Sequence, residues 1–276
     1  MLKESNALVH QINHLAVPPG QLALWSLGQA GFLFKGGSTV GCIDPYLSDA
    51  LASQGSLARL YPPPLDPAAL TNVQWVFTTH EHQDHTDPET LVPLLSTSTR
   101  AILITSPQGR EIALRAGIDD RRIRVPHIGQ RVEAGDLAYT AVPAAHYHYE
   151  VDAQQHARWM GYLIQCNGVT LYHAGDTLVV PELLAALAGV SLDLALLPIN
   201  GRDFFREEQG LIGNLWPGEA VQLAQRLAPR VLIGMHNDLF ANNRVRPGLL
   251  FDELDRLTPF QRCHLLQAGE LYLYAG

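Results

Sequence analysis

Short runs of apolar, β-branched and aromatic residues recur along the chain: LALWSL (22–27), GFLFK (31–35), TVGCID (39–44), VQWVFTT (73–79), AILITS (101–106), RIRVP (122–126), LAYTAVP (137–143), GYLIQC (161–166), VTLYHA (169–174), LALLPI (194–199), RVLIGM (230–235) and HLLQAGELYLY (264–274). Many are bounded by Gly, Pro or Asp turns, which predicts strands. Helical periodicity is confined to DPETLVPLL (87–95), SPQGREIALRAG (106–117), VPELLAALAG (180–189), PGEAVQLAQRLA (217–228) and PGLLFDELDRL (247–257). Proline opens several of these, at the position where its missing N–H costs nothing. The first three strands follow one another across hairpin-like turns, GQAG and KGGS, and predict an antiparallel start. Later strands alternate with helices. Two mixed sheets with helices on both outer faces satisfy that order, an α/β architecture of four layers.

A chain of 276 residues, 47% of them hydrophobic, can bury a sizeable core. No linker, repeat or low-complexity tract divides it, so residues 1–276 are expected to form one domain. The beginning, MLKESNALVHQINHLAVPPG, has no apolar stretch of the kind that directs export, and no run is long enough to span a membrane. Three widely spaced cysteines, without a C-x-x-C pair, indicate neither a disulfide framework nor a thiolate zinc site and fit a reducing cytoplasm. A formal charge of −8 argues against general nucleic-acid binding. No membrane partner is expected, and self-association into a homo-oligomer stays open.

The chemistry concentrates in TTHEHQDHTDP (78–88), between a strand and a helix whose N-cap is Asp87. In an extended segment residues two apart point the same way, so His80 and His82 can converge on one ion, and a bend can aim Asp84 and His85 at a second. Imidazole and carboxylate donors suit zinc, manganese or iron. Three other strand-like runs end on ligand-type residues: His146 after LAYTAVP, Asp176 after VTLYHA and His236 after RVLIGM.

The ordered set HEHQDH, VPAAH, HAGDT and GMHND, together with the opening WSLGQAGFLFKGGSTVGCIDPYLSD, resembles the metallo-β-lactamase superfamily. Within it, VLIGMHNDLFANN resembles the UlaG-like group, named for the L-ascorbate-6-phosphate lactonase. The resemblance implies an αββα sandwich with two divalent metal ions, manganese or zinc, with iron as a third choice. Carried over motif by motif, His80, His82 and His146 would hold the first ion, Asp84, His85 and His236 the second, and Asp176 would bridge them. Asp84 would also carry the proton to the leaving group. Asp44, at the end of TVGCID, would orient a ligating histidine.

The implied activity is hydrolysis of a small polar molecule through a metal-bound hydroxide, with a lactone or phosphorylated sugar acid as the leading substrate. The rival enzyme reading is a phosphodiesterase acting on a cyclic nucleotide, RNA or a phospholipid head group. A non-catalytic module with structural metals is a third reading, opposed by a ligand set larger than a closed structural site needs. Because LALLP should end beside the metals, INGRDFFREEQGLIGN (199–214) should rim the site. Arg202 and Arg206 are candidate anion anchors there, with Asn200, Tyr147 and His148 as orienting residues.

Overall fold

A computed structural model describes residues 2–276 of the chain. In chain order the strands are β1 (Gln21–Gly28), β2 (Gly31–Gly36), β3 (Thr39–Ile43), β4 (Trp75–Phe77), β5 (Ile102–Ile104), β6 (Ile123–Arg124), β7 (Arg131–Ala134), β8 (Leu137–Pro143), β9 (Met160–Cys166), β10 (Val169–His173), β11 (Leu194–Pro198), β12 (Val231–Met235), β13 (Arg262–Leu265) and β14 (Leu271–Ala275). The helices are α1 (Leu2–His14), α2 (Ala50–Ser53), α3 (Pro88–Thr97), α4 (Pro107–Arg115), α5 (Pro181–Ala186), α6 (Phe204–Glu208), α7 (Pro217–Leu227) and α8 (Gly248–Leu257).

Two seven-stranded sheets result, ordered β14-β1-β2-β3-β4-β5-β6 and β13-β12-β11-β10-β9-β8-β7. Both are mixed: β1, β2 and β3 pair antiparallel as the hairpin signals predict, whereas β3, β4 and β5 run parallel. In the second sheet β8 and β10 both pair antiparallel with β9, and β10, β11 and β12 are parallel. Strands β8, β10 and β12 therefore share one direction, as β3 and β4 do in the other sheet, and the loops that follow them collect the site.

The strands of the first sheet read as continuous apolar runs because both faces are buried. Along β1, Leu22 and Leu24 enter the core shared with the second sheet, while Ala23, Trp25 and Leu27 enter a second core with Ile12 of α1, Leu91 of α3 and Ala113 of α4. Leu183 of α5, Val221 of α7 and Leu250 of α8 pack in the larger core with β11 and β12. The outcome is helix, sheet, sheet, helix. Phe77 of β4 pins the two sheets, its ring 5.4 Å from Tyr139 and 5.0 Å from Tyr162 across the interface. Truncating so buried an aromatic typically costs about 3–5 kcal/mol.

Helix starts follow the sequence closely. Asp87 accepts from Glu89 N with Pro88 opening α3, and Ser106 accepts from Gly109 N with Pro107 opening α4. Three features depart from the sequence reading. Helix α1 was not expected; it carries Leu8 and Ile12 into the outer core, and the buried Lys35 Nζ donates to Ile12 O at 2.8 Å and Asn13 O at 3.1 Å at its end. Strand β7 alternates half-buried and exposed residues along a sheet edge, too polar for an apolar signal. The single run HLLQAGELYLY spans two strands in different sheets, β13 beside β12 and β14 beside β1. Among the described residues no helix is long and apolar enough to cross a membrane.

Candidate metal centre

All seven ligand-type side chains singled out from the sequence meet at one edge of the sandwich. His80, His82, His146 and Asp176 offer ligand atoms within 4.8 Å of one another, and so do Asp84, His85 and His236. Asp176 joins the two sets: its Oδ2 lies 3.7 Å from His146 Nε2, while its Oδ1 lies 3.4 Å from His85 Nε2 and 3.1 Å from His236 Nε2. Asp84 Oδ2 is 3.5 Å from His236 Nε2 and 3.7 Å from His85 Nε2.

The backbone explains the convergence. The loop after β4 brings His80 and His82 to one side, with ring centroids 4.5 Å apart. A tight turn follows, in which the amides of His85 and Thr86 both donate to His82 O, and Thr86 Oγ1 donates to His80 O. The turn swings Asp84 and His85 toward His236. Tyr162 fixes the start of the loop from the opposite sheet, its hydroxyl donating to Thr78 O at 2.8 Å. Gly175, ahead of Asp176, has φ +61, and a Cβ there would stand 2.8 Å from Thr79 Cβ and 2.9 Å from Met160 O. Only glycine allows that approach. Asp44 and His236 also hold positive φ, 44° and 60°. Such conformations cost about 1–3 kcal/mol each and cluster at functional sites.

The electrostatics favour cations. Burial, reinforced by the surrounding histidines, holds His80 well below the ordinary histidine range, and burial brings His146 down to about 4. Both rings are neutral at pH 7, as a metal ligand requires. Burial pulls the other way at Asp84 and Asp176, yet His85 and His236 hold both carboxyls well below the usual range. His85 and His236 are depressed by burial but lifted more strongly by Asp176 and neighbouring carboxylates, so their pKa values rise. Buried His80 Nε2, both ring nitrogens of His146 and Asp176 Oδ1 make no hydrogen bond. Unpartnered buried polar atoms of this kind are costly in a finished structure, and a pair of divalent ions would satisfy them. With nitrogen and oxygen donors only, the residues fit divalent metals and no thiolate is needed.

Asp44 takes the supporting place expected of it. Its Oδ2 is 2.7 Å from His85 Nδ1 and accepts from Thr79 Oγ1 at 2.8 Å, while its Oδ1 accepts from Thr79 N at 2.8 Å. His173 is buried beside the site and holds the backbone, its Nε2 2.8 Å from Ala30 O and its Nδ1 accepting from Gly175 N. The sequence reading missed Gln29. It lies in the GQAG turn with φ 56°, and its Nε2 is 2.9 Å from Asp84 Oδ2 and 3.1 Å from His236 Nε2. Its backbone N donates to Asp238 Oδ1, and Asp238 Oδ2 accepts from the Tyr61 hydroxyl.

The rim side chains are engaged within their own loop and with the start of α7. Arg202 makes a two-pronged pair with Glu219 at 2.6 and 2.8 Å and also donates to Asn214 O. Arg206 pairs with Asp203 at 2.5 Å and donates to Asn200 O. Asn200 is buried, its amide donating to Asn243 Oδ1 and accepting from Asn214 Nδ2. These three side chains brace the loop 199–214. Tyr147 and His148 are exposed beyond His146.

Comparison with known proteins agrees with this geometry. The family described as beta-lactamase superfamily domain matches residues 42–237. Curated relatives include the probable L-ascorbate-6-phosphate lactonases UlaG of Escherichia fergusonii and Salmonella newport, each 23% identical over 274 residues that cover 87% of this chain and 76% of theirs. Among solved structures, the isothiocyanate hydrolase from Delia radicum gut bacteria aligns with a TM-score of 0.72 and 17% identity, over 92% of this chain and all of that one. The metallo hydrolase Igni18 from Ignicoccus hospitalis aligns with a TM-score of 0.67 and 21% identity, over 92% and 98% of the two chains. At such identities the structures speak to fold, which is the αββα sandwich predicted. With the family matched across more than half of its residues and every ligand motif at its strand end, the chain belongs to the beta-lactamase superfamily, as a UlaG-like, metal-dependent hydrolase.

Proposed function

We propose that the cluster holds two divalent ions, manganese or zinc, and hydrolyses a small lactone. The carrying observation is the pair of ligand sets joined through Asp176, with buried nitrogen and oxygen atoms unpartnered in the first set. Divalent ions held there would supply Lewis acidity to polarise a carbonyl and to lower the pKa of water. The chain's own residues divide the remaining work: His80, His82, His146 and Asp176 fix one position, Asp84, His85 and His236 the other, and Asp44 orients His85. Asp84, ionised at neutral pH, is placed to take a proton from the attacking water and pass it to the leaving oxygen, and Gln29 holds its carboxylate in place. Residues 1–276 act as one domain, because β14 completes the first sheet beside β1. Three unpaired cysteines suit a reducing compartment.

The named activity of the curated relatives supports a lactone. A phosphate arm finds less support, since Arg202 and Arg206 already pair with Glu219 and Asp203. Metal analysis of the purified chain followed by a panel of lactones and phosphodiesters tests the reading. Two ions per chain and lactone turnover are expected. Turnover of phosphodiesters alone would transfer the site to the rival chemistry, and protein purified without chelator that carries no metal would end the proposal.

A further inference from the structure

A cavity of about 1270 Å³ is lined in part by Gln29, Met235 and Asn237, which adjoin His236 by hydrogen bond or in sequence. Its volume exceeds the roughly 300–1,000 Å³ usual for small-molecule sites. Its lining is mostly apolar and comes from elements far apart in sequence: Leu8 of α1, Phe32 of β2, Pro62 to Pro64, Met235 of β12 and Leu266 after β13. The three consecutive prolines form a wall with no N–H to satisfy and little conformational freedom to lose. Such a surface is ready for an apolar ligand without rearrangement. Polar groups line it as well, among them Gln29, Tyr61 and Asp238, which are joined by hydrogen bonds, and Arg244. Gln29 contacts the cavity with one side and, through its amide, reaches Asp84 and His236 with the other.

We propose that this cavity is the subsite for an apolar body of the substrate, an alkyl chain or aryl group attached to the reacting carbonyl, with Gln29, which lines the cavity and contacts Asp84 and His236, lying between it and the metal residues. The inference rests on the lactonase reading and extends it: the substrate is an alkyl- or aryl-substituted lactone. The chain–cavity contact is the main source of affinity, and the metal residues select only the carbonyl.

The test separates binding from turnover. The metal-loaded full chain is titrated calorimetrically with 2-alkylcyclopentanones from methyl to octyl, which match alkyl lactones in shape and cannot be hydrolysed. The γ-lactones of the same chain lengths are assayed in parallel for KM and kcat. Affinity for the ketones should rise about fourfold per added methylene until the cavity is filled. Ala268→Trp and Leu266→Trp, which fill the same wall, should each flatten that rise. Affinity independent of chain length, or a rise unchanged in both variants, overturns the subsite. Chain-dependent ketone binding without lactone turnover upholds the subsite and overturns the lactonase reading. Turnover of short lactones with no chain-length dependence does the reverse.

Discussion

Asp44 Oδ2 lies 2.7 Å from Nδ1 of His85, both groups fully buried, which leaves Nε2 as the only ring nitrogen of His85 able to face the second ligand set. The carboxylate thus fixes the tautomer and orientation of the ring. Asp44→Ala should weaken occupancy of the second metal position by about 10- to 100-fold while sparing the first. Stepwise titration of metal-free protein with zinc, followed by calorimetry, checks this. Equal weakening of both steps would show that Asp44 acts on the whole edge.

Asp84 is expected to serve both as ligand and as proton carrier. Asp84→Asn should retain the fold and lower kcat by roughly 10²-fold or more. Metal content measured on the same sample separates the roles: full occupancy with slow turnover supports proton transfer, and a lost ion supports ligation. Wild-type kcat in Asp84→Asn would remove the residue from the mechanism.

Arg202 braces the rim through Glu219, with about a third of each side chain exposed. Solvent screening limits such a pair, so Arg202→Ala should lower stability by about 1 kcal/mol. KM should stay within about twofold, on the same warrant that the charge is already matched inside the loop. Denaturant titration and steady-state kinetics together decide. A large rise in KM with unchanged stability would return Arg202 to the role of substrate anchor.

The three cysteines should be silent in the native protein. Burial pushes the thiols of Cys166 and Cys263 up to about 12, and burial together with Asp44 pushes Cys42 up as well. A thiol so raised stays protonated as pH increases toward 8, where roughly one in ten thousand is the reactive thiolate. Ellman's reagent at pH 8 should therefore find almost no reactive thiol until denaturant is added, and then three. Rapid native labelling of Cys42 or Cys166 would show an opening of the sheets that the structure lacks, whereas the half-buried Cys263 on β13 could react without one.

The ligand loops were legible because each ends an apolar strand, and a strand direction shared by β3 and β4, and by β8, β10 and β12, puts all their ends on one edge. Pairing partners were not legible. Arg202 finds Glu219 only because the loop returns to the start of α7, and Gln29 reads as an ordinary turn residue until His236 N is seen to donate to Gln29 O at 2.8 Å. Helix α1 escaped notice because, among the described residues, Leu8 and Ile12 enter the outer core with Val9 packed against it, too sparse an apolar stripe to announce a helix. The split of HLLQAGELYLY escaped for another reason: period-2 patterning identifies strands and is silent on which sheet receives them.

The placement of β14 has a consequence for the order in which the molecule is made. Gln21 pairs with Ala275, so this edge of β1 has no neighbour until residues 271–275 have been synthesised. A protein dominated by contacts this distant in sequence folds slowly, and an open strand edge is a site for pairing with other chains in the meantime. The turn 266–270 that leads into β14 also lines the cavity. The cavity therefore takes its final form only after β14 docks beside β1, and the stability of its wall is tied to that long-range pairing.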